Sequence, residues 1–231
     1  MKIKYNPYSI TDTISRLDSI INEKVPVERC IHNMPVEDER SKIMMSLMHA
    51  SVMAVNIKKS FQNEDGIFKL KVDRVVKTEI CNIMCDYANC IDIVLHNERV
   101  IGIYNTPFKT DVDYALDTAA KICTLAPLLN KLFKTLDVEC EISLTVGLCY
   151  GEIGYSQISV SDEKVVNWTG KIINDAINYS EVSETPPVRI CPSVFCNLKK
   201  AYQDLFQKNE EHSFYQASLV NIKMNEWINS K

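Results

Sequence analysis

The chain has 231 residues, 46% hydrophobic and 24% charged, enough apolar material for one well-filled core. Its net charge is −4 and its pI about 5.6, so no global positive field recommends a nucleic-acid backbone or an anionic bilayer, and neither partner is expected. No apolar run reaches the ~18 residues of a membrane span, and the stretch from Met1 to Asn22 lacks the apolar block of a signal peptide, so a cytoplasmic address is expected.

From Ser9 to Lys24, Ile10, Ile14, Leu17, Ile20 and Ile21 share one helical face, with Ser9 or Thr11 as cap. Pro26, Pro35 and the acidic run Glu37, Asp38, Glu39 then mark a linker. The expected organisation is an N-terminal helix and linker over 1–41 and a single domain over 42–231. That domain opens with an apolar strand around 50–57, in "VMAVNIKKSFQ", which delivers the uncharged amide of Asn56 to its end. From Gly66 to about Ala88, Ile67, Phe68, Val72, Val75, Val76, Ile80, Ile83 and Met84 recur at helical intervals. "CIDIVLHNERVIGIYN" supplies two β-rich runs, 91–95 and 99–104, with Glu98 at the tip of the hairpin between them.

A second long helix is expected over about 112–136, burying Ala115, Leu116, Ala119, Ala120, Cys123, Leu128 and Leu132, with a kink at Pro127. "CEISLTVGLCYGEI" alternates as a strand whose Gly147 and Gly151 mark a bend or a close approach. A third helix begins near Trp168 or Gly170, carries Ile172, Ile173, Ala176 and Ile177, and stops before Pro186. "VRICPSVFCNL" reads as a short strand and short helix, and "HSFYQASLV" as a late strand. The order is α+β, and a ferredoxin-like βαββαβ core with an extra N-terminal helix is its natural solution. Nine cysteines, odd in number and without a C-x-x-C pair, read as reduced thiols; four scattered histidines make no zinc pattern.

Four segments, in order, resemble the class III nucleotide cyclase domains, and among them the bacterial pyrimidine cyclases of Pycsar antiphage defence. They are "AVNIKKS", "HNERVIGIYN", "LTVGLCYGEI" and "NWTGKIINDAINYS", and the likeness spans about residues 48–198. It implies a nucleoside triphosphate substrate, UTP or CTP favoured, converted to a 3′,5′-cyclic nucleotide and pyrophosphate. It implies two metal ions, Mn²⁺ or Mg²⁺, at Asn56 and Glu98, where relatives carry aspartates; hard cations prefer anionic oxygens, so Asn56 weakens such a site. Asn174 falls on the asparagine that orients the ribose, and Asn178 on a phosphate-contacting cation. The same likeness puts Ile57, Lys58, Lys59, Ser60, Phe61, Asn167 and Lys171 along the substrate, with Asn167 at the base, where an amide suits the N3 and O4 edge of uracil or the N3 and N4 edge of cytosine. Sites of this family form between two chains, so a homodimer, or a heterodimer with another cyclase-like chain, is implied.

Two other readings stay open from the residues. One is a catalytically degenerate module that binds nucleotide or pairs with an active partner. The other is a likeness of scaffold alone, with Asn56 ending a strand, Glu98 a solvated turn residue, and Asn174 and Asn178 one polar helix face.

Overall fold

The computed structural model describes residues 10–22, 28–30, 45–62, 65–160, 163–182 and 185–230. Helix α1 (Ile10–Asn22) and strand β1 (Glu28–Cys30) precede β2 (Met45–Phe61), α2 (Gly66–Cys85), β3 (Cys90–His96), β4 (Arg99–Asn105), α3 (Lys109–Thr135) and β5 (Cys140–Val160). Strand β6 (Glu163–Thr169), α4 (Lys171–Glu181), β7 (Val188–Ile190), α5 (Pro192–Asn197), α6 (Lys200–Gln203), β8 (Gln207–Lys208), β9 (Tyr215–Ala217) and α7 (Ile222–Ser230) follow.

The expected α+β core is present: β2-α2-β3-β4-α3-β5 is a βαββαβ unit whose strands lie side by side as β3-β4-β2-β5, every neighbouring pair antiparallel. The sheet continues from β5 through β7 and β9 to β8, while β1 joins β2 and β6 joins β5. Strand β2 is central, and its Ser51–Val55 run is buried throughout, as a strand covered on both faces requires. Asp65 caps α2 by accepting from the Ile67 N–H at 2.9 Å. The β3–β4 turn is the two-residue Asn97-Glu98, with Asn97 at φ 51°, a left-handed conformation that asparagine tolerates.

Helix α4 lies directly on β5. A Cβ at Gly147 would stand 2.1 Å from the Ala176 carbonyl oxygen, and one at Gly151 would meet Ile172 at 2.8 Å, so both glycines are the floor on which the helix rests. Gly170, at φ 153° and ψ 149°, makes the corner between β6 and α4 in a region open essentially to glycine alone.

Several boundaries differ from the expectation. Strand β2 runs from Met45 to Phe61, because β5 pairs with it along its whole length. Strand β5 continues to Val160 and pairs back with β6, so Trp168 and Thr169 end a strand and the helix starts at Lys171. Helix α3 starts at Lys109, three residues before the expected Val112, and has Pro127 inside it. Residues 28–30, expected within a linker, form a strand, and the C-terminal α7 has no counterpart in the expectation. Ser9, Lys24, Pro26, Pro35 and Glu37–Glu39 lie outside the described residues, as does the expected boundary at 41/42. Helix α1 has the foreseen amphipathic pattern, with Ile14, Leu17, Ile20 and Ile21 exposed. No described helix is long and apolar enough to cross a membrane.

Candidate functional site

Register places the candidate residues. Asn56, half-buried, lies between Arg99 on β4 and Thr145 on β5. The Thr145 hydroxyl donates to the Ser180 carbonyl of α4, so Asn56, Arg99 and Thr145 form one row on the α4 side of the sheet. Arg99 Nη2 donates to the Glu181 carboxylate at the end of the same helix. Its Nε is buried with no hydrogen-bond partner among the described residues.

Glu98 is one step away at the hairpin tip, its carbonyl accepting from the Ile57 N–H at 2.8 Å. Its carboxylate pairs at 2.5 Å with Lys59 Nζ, which also donates to Asp73 on α2; Lys77 meets Asp73 at 2.8 Å. Lys59 stands three residues after Asn56 and so points to the opposite face of β2, toward α2. Its side chain is only 7% exposed. Burial pulls its pKa down, but hydrogen bonds to Asp73 and Glu98 with their charges outweigh burial and raise it. Asp73 is held below the usual carboxylate value: burial works the other way, and the bonds from Lys59 and Lys77 prevail.

The segment after Asn56 does not gather round one point. Ile57 is a core side chain, 1% exposed. Lys58 and Ser60 face a hollow of about 280 Å³ beside Glu141 and Ser143. Lys59 and Phe61 turn the other way, to a cleft of about 550 Å³ lined also by Lys69, Asp73 and Glu98. The extended backbone of β2 enforces this split, since alternate side chains leave opposite faces.

Asn174 and Asn178 share one exposed stripe of α4 with Lys171, which pairs with Asp175 at 2.5 Å. Asn167 is half-buried on β6, its Nδ2 3.4 Å from Ser156 Oγ. Two features escaped the sequence reading. Arg99 is meaningful only through register with Asn56. Trp168 Nε1 donates to Asp92 Oδ2 at 2.7 Å, although β6 and β3 are separated by β5, β2 and β4. The β5–β6 ribbon therefore curls over the sheet, with Tyr155 edge-on to the indole at 5.2 Å. A lone carboxylate in the apolar run "CIDIVL" was the available signal for Asp92.

The donor set does not fit a two-metal centre as it stands. Asn56 contributes a neutral amide, Glu98 is already paired with an ammonium, and no described group of three or more His, Cys, Asp or Glu side chains is placed to hold a metal ion.

No protein-family model matches the chain. Among solved structures, the adenylyl cyclase CyaB of P. aeruginosa superposes with a TM-score of 0.63 at 13% identity, over 75% of this chain and 95% of that one. A class III adenylyl cyclase-like ATP-binding protein from Pseudomonas aeruginosa superposes with a TM-score of 0.69 at 15% identity, over 93% of this chain and 48% of that one. The chain has the class III nucleotide cyclase fold. In sequence it resembles a uridylate cyclase of Treponema porcinum, 24% identical over 226 residues, covering 93% of this chain and 78% of that protein.

Proposed function

We propose that the chain is a nucleotide cyclase, taking a nucleoside triphosphate, UTP or CTP favoured, to a 3′,5′-cyclic nucleotide and pyrophosphate. The observation that carries this is the likeness to a uridylate cyclase along 93% of the chain, on a sheet of the cyclase fold. In the reaction the ribose 3′-oxygen bonds to the α-phosphorus, the bond from that phosphorus to the β-phosphate bridge breaks, and the hydroxyl proton passes to solvent. Asn174 orients the ribose and Asn167 hydrogen-bonds the pyrimidine edge, while Arg99 offsets phosphate charge. Asn167, Lys171, Asn174 and Asn178 lie toward the outside of one chain, which favours a site completed by a second copy or a related cyclase-like chain. The likeness also motivates a cytoplasmic second messenger of antiphage defence as the product's role. It implies Mn²⁺ or Mg²⁺ as well, but the residues present do not fit that pair, and no step above runs through a metal.

A second reading has its own support. The neutral amide at Asn56 and the Lys59 clamp on Glu98 favour a chain that binds nucleotide without turning it over. Both readings are tested by incubating the protein, and Asn56→Asp, with each of ATP, GTP, CTP and UTP under Mn²⁺, Mg²⁺ or EDTA, reading cyclic product and pyrophosphate by mass spectrometry. Cyclic UMP or CMP from the unaltered chain supports the cyclase. Product from Asn56→Asp alone selects the binding module. No product from either, together with no bound nucleotide, rejects both.

A further inference from the structure

Resting on the reading of this site as one for a nucleoside triphosphate, we infer that triphosphate binding here is independent of divalent cations, with Lys59 as a built-in cation. The reason is the charge balance at this end of the strands. Lys59 joins Asp73 to Glu98, Lys77 holds the second Asp73 oxygen, and Arg99 holds Glu181. Three cationic side chains thus meet three carboxylates, and the position between Arg99 and Thr145 is the uncharged Asn56. A pair of free carboxylates would repel polyphosphate until divalent ions intervened. Here each of these three carboxylates already has a cation, so much of the repulsion that calls for metal is offset.

The same geometry opposes a metal that arrives alone. The Lys59 side chain is 7% exposed and bonded on both sides, so a divalent ion at Glu98 meets a carboxylate whose charge an ammonium at 2.5 Å already offsets. One donor in this row is unspent. Arg99 Nε–H is buried and without a hydrogen-bond partner among the described residues, in the same row as Asn56.

The test is calorimetric binding of UTP and CTP to the full chain in EDTA, in Mg²⁺ and in Mn²⁺. The dissociation constant in EDTA is expected to stay within about threefold of the values in metal. Lys59→Met is expected to weaken binding in EDTA by about tenfold or more, and Lys59→Arg to retain it. The wild-type comparison needs no variant, and Lys59→Arg keeps the charge if Lys59→Met does not fold. Binding seen only with metal overturns this inference and leaves the nucleotide site standing; undiminished binding by folded Lys59→Met overturns the role of Lys59. Absence of binding with ATP, GTP, CTP and UTP, with and without metal, overturns the proposed function together with the inference.

Discussion

Gly147→Ala tests the seating of α4, the helix that carries Asn174 and Asn178. The added methyl would lie 2.1 Å from the Ala176 oxygen, 2.8 Å from the Ser180 nitrogen and 2.9 Å from the Tyr179 Cβ. None of these atoms is the loose end of a side chain, so the helix has to retreat by roughly 1 Å to reach normal contact. That retreat costs ~1–3 kcal/mol as overpacking. It also removes about 1 kcal/mol from the Thr145–Ser180 hydrogen bond. We expect a loss of roughly 2–4 kcal/mol in urea unfolding and a fall in Tm on the order of 10 °C. Gly151→Ala is the control: its methyl meets only Ile172 Cγ2, the end of a side chain that can change rotamer. It should cost under about 1.5 kcal/mol. Equal losses for the two variants, or a Gly147→Ala protein as stable as the unaltered chain, would refute the argument that α4 rests on backbone contact at Gly147.

The Lys59 clamp gives stability a shape in pH. Its pKa is raised above the ordinary 10.5, so the contribution is complete below that value and lost as pH climbs through the raised one; Asp73, lowered from 3.8, contributes above that value and loses its contribution as pH falls through the lowered one. Thermal melts of Lys59→Met should show both limbs flattened, and unchanged limbs would count against the clamp. Asn56→Asp should raise Mn²⁺-dependent cyclic product about a hundredfold, and further when Lys59→Ser frees Glu98, since a carboxylate facing a divalent ion is worth several kcal/mol at an effective dielectric of ~20; product yields by mass spectrometry that ignore both changes remove Asn56 and Glu98 from the site. The Cys191 thiol is brought down to about 6, chiefly by the hydrogen bond from Cys149, against burial and with help from the Tyr150 and Val194 N–H groups. Cys149→Ala should therefore move its ultraviolet thiolate titration upward, and an unmoved midpoint would show the backbone donors suffice. A double-mutant cycle of Trp168→Phe with Asp92→Asn, read by urea unfolding, should give a coupling of ~1–2 kcal/mol, and a value near zero would deny the bond across the sheet any weight.

The α+β order and the four core strands were legible because their signals are local: β-rich alternation, helical spacing in α2 and α3, and a turn at Asn97-Glu98. Gly147 and Gly151 were legible as places of close approach, although what approaches them was not. What stayed hidden depends on register and on distant packing. Strand β6 was not foreseen: a helix start was expected near Trp168 or Gly170 and nothing was assigned to Val165 and Val166, and only pairing with β5 identifies these residues as a strand. Arg99 gains meaning from a neighbour 43 positions away, Asn56. Periodicity contains no such information, and neither does it contain the curl that carries Trp168 to Asp92.

Lys59 is the sharpest case of a residue whose type was plain and whose role was not. In the primary order it is one of two adjacent lysines, and an exposed loop lysine is the ordinary expectation. The strand continues through it, which turns Lys58 outward and Lys59 inward, and inward there are two carboxylates. An ammonium buried between them is tolerable because it is bonded on both sides, and each carboxylate is tolerable because of the ammonium. A second carboxylate at position 56 would unsettle that balance and invite a divalent ion; the amide of Asn56 does not. The neutral residue on one face of β2 and the buried cation on the other therefore act on the same electrostatic quantity, and both lessen what a metal has to offer this end of the sheet.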